Sequence, residues 1–362
     1  MNLLVELFSS LWCCLVEYVT LAHGSGGVEM SELLEKLVFS KVKPGFRRVS
    51  SGVGLDEADD GASIPIPGLG HLVVSVDSYT VNPPFFPGGN IGVLAAVGSI
   101  NDVLVMGAKP IAILDSIVVE EGFSMRDLQV IVDSMINVLE NEGVALIGGD
   151  FKVMPRGQVD KIVITTTAIG IAENPIVDRP RPGDKILVSD YVGEHGAVIL
   201  MMQLGLSSVE EISKGLLKSD VKPLTKLMIP LIEKYRECIT AARDPTRGGL
   251  AGVLYEWAVK TGTLIVIDES KIPIKEPVKR YAESLGVDPL YLASEGVAVL
   301  ALNPTCAEEV LEYVRKLGFE NAKIIGEVRE SELFKGYVAA ETTIGGLRVV
   351  EPPRGELVPR IC

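Results

Sequence analysis

Only three histidines, His23, His71 and His195, occur among the 362 residues, and none stands three or four positions from another. A histidine-rich metal centre is therefore not expected. The five cysteines, Cys13, Cys14, Cys238, Cys306 and Cys362, are odd in number and form no C-x-x-C pair. Neither a disulfide framework nor a zinc site is expected, and the scatter fits a reduced, cytoplasmic setting. Aromatic residues make up only 6%, too few for stacking platforms. Basic residues number 34 against 48 acidic ones, a net charge of −14, which argues against nucleic acid or anionic lipid as the partner. No Walker A loop, no Rossmann glycine fingerprint after a strand and no fixed-period repeat is present. Long hydrophobic runs are lacking too. The apolar start, Met1 to Val19, is interrupted by Glu6, Ser9-Ser10 and Glu17, and has no basic n-region or small-residue cleavage site. It reads as a packing helix or a start codon placed too far upstream, not as an anchor.

What is there is glycine, 37 residues, against a usual share of roughly 7%. Backbone-lined loops are the expectation. The length suits about two domains, and Asp178-Arg179-Pro180-Arg181-Pro182-Gly183 is the clearest break, since two prolines and a glycine stop both helix and strand. The pattern predicts helices over Asn90–Met106, from Ser124, over Pro223–Ala242, Leu250–Val259 and Ala307–Leu317, with strands at Leu72–Val76, Ile111–Val119, Val144–Ile147, Ile162–Ile169, Lys185–Ser189, Thr263–Ile267, Gly296–Leu302 and Lys323–Val328. The fold class is α/β (α+β): an extension over 1–20, domains over 21–178 and 179–349, and a proline-rich mobile tail over 350–362.

Several segments place chemistry at element ends. His23-Gly24-Ser25-Gly26-Gly27 opens a helix, and serves either as a plain helix entry or as a cradle of backbone N–H groups for phosphate. Asp56, Asp59 and Asp60 precede Gly61, but Ala58 and Pro67 stand where an EF-hand needs oxygen ligands. That turn is either solvated or faces Mg²⁺ or phosphate. Asp77 ends a strand, Asp102 lies mid-helix among small residues, Asp150 follows Gly148-Gly149, and Asp244 precedes Pro245-Thr246-Arg247-Gly248-Gly249. Mid-helix Asp is disfavoured unless something compensates. A distributed aspartate set fits Mg²⁺ with a nucleotide, without Walker chemistry. Arg247 before two glycines suits an anion or a helix cap. His195 reads as a helix-entry contact, and Cys13, Cys14, Cys238 and Cys306 as packing residues. Cys362, a thiol at the end of a structureless tail, stands apart.

Taken together, His23-Gly24-Ser25-Gly26-Gly27, Asp77-Ser78-Tyr79, Phe85-Phe86-Pro87-Gly88-Gly89-Asn90, Asn101-Asp102, Gly149-Asp150-Phe151-Lys152, Asp244-Pro245-Thr246-Arg247-Gly248-Gly249 and the terminal Pro359-Arg360-Ile361-Cys362 resemble the hydrogenase maturation family HypE, within the aminoimidazole ribonucleotide synthetase-like superfamily. The resemblance runs from about Leu21 to Cys362. The chain departs from the family pattern at Phe151, at Ser294 and in the segment before Leu21. The resemblance implies a two-domain architecture that dimerises through its first domain and binds ATP and Mg²⁺ between domains. It implies that a carbamoyltransferase loads the terminal cysteine, that ATP-dependent dehydration turns the carboxamide into a thiocyanate, and that an iron-carrying scaffold of nickel-iron hydrogenase assembly accepts the cyanide. On this sequence the nucleotide would meet Gly26, Gly27, Asp59, Asp60, Asp77, Tyr79, Phe86, Gly88, Gly89, Asn90, Asp150, Asp244 and Arg247. The metal would meet Asp77, Asp102 and Asp150, and Cys362, Glu295 and Lys152 would be catalytic. Twelve residues from Glu351 span at most about 40 Å. Two other functions fit the motifs: a sister enzyme phosphorylating a small substrate, and a nucleotide-binding scaffold that merely presents Cys362.

Overall fold

The computed structural model describes residues 18–206, 212 and 214–355. The expectations for Cys13, Cys14 and Cys362, and for nearly all of the apolar start, lie outside those residues. Helix α1 (Val28–Leu37) follows the first glycine loop. Short turns lead to strand β1 (Ala62–Ile66), β2 (Gly70–Tyr79), the small hairpin β3 (Phe85–Phe86) and β4 (Gly89–Asn90), helix α2 (Ile91–Val105), β5 (Lys109–Glu120), α3 (Met125–Glu142), β6 (Ala145–Met154) and β7 (Ile162–Ala172). The strands form a sheet in the order β1-β2-β7-β5-β6. Only β5 and β6 in it are parallel neighbours.

Helix α2 is apolar all round, as a helix enclosed on every side must be, and of its residues only Val93 escapes full burial. Asn90 starts it by accepting the N–H groups of Gly92 and Val93, the role of an N-cap. Glycines let it approach its neighbours: a Cβ on Gly98 would lie 2.2 Å from the Tyr79 hydroxyl, and one on Gly92 would lie 2.1 Å from the Ile131 carbonyl. Helix α3 begins at Ser124, whose hydroxyl accepts the Asp127 N–H, and ends at left-handed Gly143. Its buried stripe is Ile131, Met135 and Leu139, one helical face. Strand β7 alternates buried and half-buried residues along its whole length.

The second half contributes β8 (Lys185–Val188), α4 (Glu194–Gln203), α5 (Thr225–Tyr235), β9 (Ile239–Arg243), α6 (Gly249–Thr261), β10 (Leu264–Asp268), α7 (Glu276–Leu285), β11 (Val299–Leu302), α8 (Ala307–Lys316), β12 (Lys323–Arg329), β13 (Tyr337–Glu341) and β14 (Leu347–Val350). Its sheet runs β14-β13-β10-β12-β8-β11-β9. Among the described residues no helix is long and apolar enough to cross a membrane.

Several sequence expectations need correction. The strand expected over Val144–Ile147 does not end before Gly148-Gly149-Asp150 but runs on through them to Met154 as β6; beside Gly149 the Asp115 carboxylate fills the space of a Cβ, 1.7 Å from where one would sit. The helix expected over Pro223–Ala242 stops at Tyr235, and Ile239–Arg243 is a strand paired with β11. Short apolar runs are ambiguous between the two states. The cysteines Cys238 and Cys306 are not separate packing residues: they form a disulfide across 68 positions, with Cα atoms 6.3 Å apart. That pairing removes the cysteine argument for a reducing compartment. The break at Asp178 is not loose either. Asp178 is buried, and its carboxylate accepts the Ala242 N–H at 3.0 Å and the Trp257 indole N–H at 2.7 Å. The start of the tail is held as well: the Glu351 carbonyl accepts from the Tyr291 hydroxyl at 2.7 Å, and the Pro353 carbonyl from the Val28 N–H at 3.0 Å.

Candidate functional site

Strand β2 places Val73, Ser75, Asp77 and Tyr79 on one face by simple alternation, and that face looks at α2. Ser75 donates to Oδ2 of Asp102 at 2.6 Å, which holds the mid-helix carboxylate toward β2. The turn before β1 brings in Asp60, and the end of β9 brings in Asp244. Ligand atoms of Asp60, Asp102 and Asp244 all lie within 4.8 Å of one another. Oδ2 of Asp60 and Oδ2 of Asp244 are buried with no hydrogen-bond partner.

Such a cluster is electrostatically unsettled. Burial pushes the Asp60 carboxyl up to about 7, against the pull of Arg243. Burial, reinforced by Asp77, Asp244 and Asp60, lifts Asp102 well above the usual carboxylate range, and burial with Asp60 does the same to Asp244. Glu295 is 2% exposed. Burial and the charges of Asp244, Asp220 and Asp77 raise its carboxyl well above the ordinary value. Its backbone is fixed by Asp220, which accepts the Glu295 N–H at 3.2 Å, and by Asn101, which donates to its carbonyl at 3.3 Å. Asp77, at the edge of the group, faces Arg247 at 3.6 Å. Orphaned oxygens among raised carboxylates are what a hard divalent cation would satisfy.

Arg243 was not among the residues picked out of the sequence. Its guanidinium touches Asp60 at 2.8 Å and Asp178 at 3.8 Å and also pairs with Glu256, so one largely buried cation ties the first half's Asp60 to the second half. Its position immediately before the Asp244 motif was the available signal. Asp59 stands behind Asp60, accepting the Asp178 N–H at 3.0 Å and pairing with Lys260 at 3.4 Å.

Other expected residues sit elsewhere. The expected metal set of Asp77, Asp102 and Asp150 is not assembled within the chain. Asp150 shares a cross-strand row with Ser78, Thr165 and Ser116, so it lies on the sheet face opposite Asp77 and about 14 Å away across three strand spacings. Lys152 lies on that same outer face, exposed, and pairs with Asp150 at 2.8 Å; Glu295 is not beside it. Tyr79 is buried with its hydroxyl 3.4 Å from that of Ser99. Phe86 is buried edge-on to His195, ring centroids 5.2 Å apart. Gly88 has a φ of +102° and abuts Ser219, while Gly89 abuts Val221; the hairpin they close thus packs on the segment beside Glu295. Asn90 is the cap of α2. Gly26 abuts Arg247, and Gly27 abuts the Pro353 carbonyl. His195 is fully buried, and burial drops its imidazole to about 3. One ring nitrogen bonds Ser219 at 2.8 Å, a contact at the start of α4. Ser294 accepts the Gly193 N–H at 2.7 Å, and Phe151 is exposed on β6.

Residues 58–172 match the family described as AIR synthase related protein, N-terminal domain, and residues 181–339 match its C-terminal domain. The carbamoyl dehydratase HypE of Azotobacter vinelandii is 40% identical over 349 residues, covering 95% of this chain and 97% of that protein. Among solved structures, a HypE–HypF complex is similar with a TM-score of 0.78 and 35% identity, over 90% of this chain and 100% of the other. A hydrogenase maturation protein HypE in complex with ATP is similar with a TM-score of 0.75 and 36% identity, over 95% and 100%. The chain belongs to the HypE family of carbamoyl dehydratases, built from the two AIR synthase related domains.

Proposed function

We propose that the chain dehydrates an S-carbamoylated Cys362 to a thiocyanate at the expense of ATP, as a step toward the cyanide ligands of nickel-iron hydrogenase. The observation that carries this is the buried Asp60–Asp102–Asp244 cluster with Glu295 beside it. When bound, ATP supplies a phosphoryl group that turns the amide oxygen into a leaving phosphate. The C–O bond then breaks, both nitrogen-bound protons depart, and a C≡N bond remains. Asp60, Asp102 and Asp244 would hold Mg²⁺, with Asp77 alongside, and that cation would offset the negative charge that adds to burial in raising the Glu295 carboxyl. Glu295, lifted by burial, is then a strong base for the amide protons. The binding of ATP by a relative at 36% identity supports the nucleotide, and a relative's complex with HypF supports a loading partner. The acceptor of the cyanide is an iron-carrying scaffold, and the setting is the cytoplasm.

The functional unit in this reading is a homodimer. Strand β6 is exposed nearly end to end and carries Leu146, Ile147, Phe151 and Val153 in solvent, an edge that calls for a partner. Lys152 and Asp150, on the face away from Asp77, reach a Glu295 site only across such a pairing.

Intact mass spectrometry of the chain with the carbamoyltransferase, carbamoyl phosphate and ATP tests the function. The expected result is gain of one carbamoyl group on Cys362, followed by ATP-dependent loss of one water. A carbamoyl group on any other cysteine, or ATP turnover on a small substrate by a chain lacking Cys362, overturns it.

A further inference from the structure

Both glycine motifs, each read from the sequence as either a helix entry or an anion cradle, lie against one segment of the chain's own C-terminal end. The N–H of Val28, the first residue of α1, donates to the Pro353 carbonyl at 3.0 Å. A Cβ on Gly27 would lie 2.5 Å from that carbonyl oxygen, and one on Gly248, held at φ +79°, would lie 3.2 Å from the Pro353 ring. The glycines of both motifs are therefore a socket for one proline of the chain's own C-terminal segment. Two further bonds flank it: the Tyr291 hydroxyl donates to the Glu351 carbonyl at 2.7 Å, and the Gly355 N–H donates to Oε2 of Glu29 at 3.1 Å. Three anchors drawn from both halves of the molecule thus fix five successive residues beside Arg247, which itself faces Asp77 at the mouth of the acidic site.

We propose that Glu29, Val28 and Tyr291 form a clamp that makes Gly355 the fixed pivot of the carrier arm, so that the arm is seven residues long and starts at the mouth of the site. This rests on Cys362 being the carrier. Seven residues, 356–362, reach at most about 25 Å, where a free arm of twelve from Glu351 would reach about 40 Å. A shorter arm that starts close raises the effective concentration of its end, which falls roughly as the −3/2 power of length. Glu29 and Tyr291 are thus positioning residues for the intramolecular step, with no part in loading.

The test is the double variant Glu29→Ala/Tyr291→Phe in the full-length chain. Amide hydrogen exchange needs no activity: Val28 and Gly355 should be protected in the wild type and released in the double variant, while Glu29→Gln, which keeps an acceptor oxygen, should retain the protection. On chains already carbamoylated, single-turnover loss of water should slow by at least about two-fold, the ratio that a change from seven to twelve residues gives under that power law. Loading by the carbamoyltransferase and calorimetric ATP binding should stay unchanged. Wild-type amides at Val28 and Gly355 that exchange like a free peptide, or a released clamp with an unchanged rate of dehydration, overturn the proposal. A wild type that never carries the carbamoyl group on Cys362 counts against the proposed function instead, while the exchange result still decides whether the clamp exists.

Discussion

Arg243 and Asp60 meet across the two halves of the chain, Nε of the one 2.8 Å from Oδ1 of the other. Removing one partner of such a buried pair leaves the other uncompensated. Arg243→Ala should destabilise the fold by up to about 3 kcal/mol, read as a lowered midpoint in denaturant unfolding. A variant as stable as the wild type would show that Asp60, Asp178 and Glu256 need no cation.

Burial and mutual repulsion of the three clustered carboxylates oppose folding, and in the proposed reading Mg²⁺ offsets both. Asp102→Asn should therefore raise the melting temperature of the metal-free protein at pH 8 and weaken Mg²⁺-dependent ATP binding. These opposite signs distinguish a ligand from a scaffold residue. Calorimetry and thermal melting together decide, and a variant that loses stability without losing nucleotide binding refutes the assignment.

The same carboxylates set a pH dependence. The Asp60 carboxyl is raised in the fold to about 7, above its unfolded value of about 3.9. Its contribution to stability is complete below the unfolded value and is lost as the pH rises through the folded one. Mg²⁺ must displace those protons, so the gain in melting temperature on adding Mg²⁺ should be larger at pH 8 than at pH 6. An equal gain at both would mean that the cation binds elsewhere.

Glu295→Gln and Lys152→Gln should each keep ATP binding and stop thiocyanate formation. If Lys152 serves the other copy's Glu295, mixing the two dead proteins under conditions of subunit exchange should restore about a quarter of wild-type activity, since half the dimers carry one intact site. No recovery on mixing would place both residues in one chain's site, or neither.

The Cys238–Cys306 bridge closes a 68-residue separation. On the chain-entropy account a loop of that size is worth up to about 4 kcal/mol. Cys238→Ser should lower the unfolding free energy by up to that amount while leaving the carbamoylation site untouched. Equal stability with and without reductant would show that the bond contributes nothing.

The sequence made some of this legible because the governing physics is local. The helix α2 is placed from Asn90, Ser124 caps α3, and Asp102 stands out because a carboxylate inside an apolar helix needs a reason. Other features depend on residues far apart in the chain. Gly148-Gly149 looks like the end of a strand until Asp115, on the neighbouring strand, is seen to fill the space beside Gly149. Asp60 joins Asp102 and Asp244 only because β1, α2 and β9 converge. The glycines at 26, 27 and 248 mark places of close approach, but sequence cannot say that Arg247 makes it at Gly26 and Pro353 at Gly27 and Gly248. Arg243 was overshadowed by the motif it precedes, since an arginine at a strand end is unremarked until its carboxylates are known.

The burial of Asp178 has an engineering consequence. Its two oxygens cap the Ala242 amide and the Trp257 indole, so the segment that looks most like a hinge is a weld. Expressed alone, a C-terminal half beginning at Arg179 would strand both donors and leave Arg243 with Glu256 as its remaining partner. The proline-rich break is therefore the wrong place to cut, label by insertion or splice between relatives. Chimeras should exchange Asp178, Arg243 and Trp257 together with Asp60.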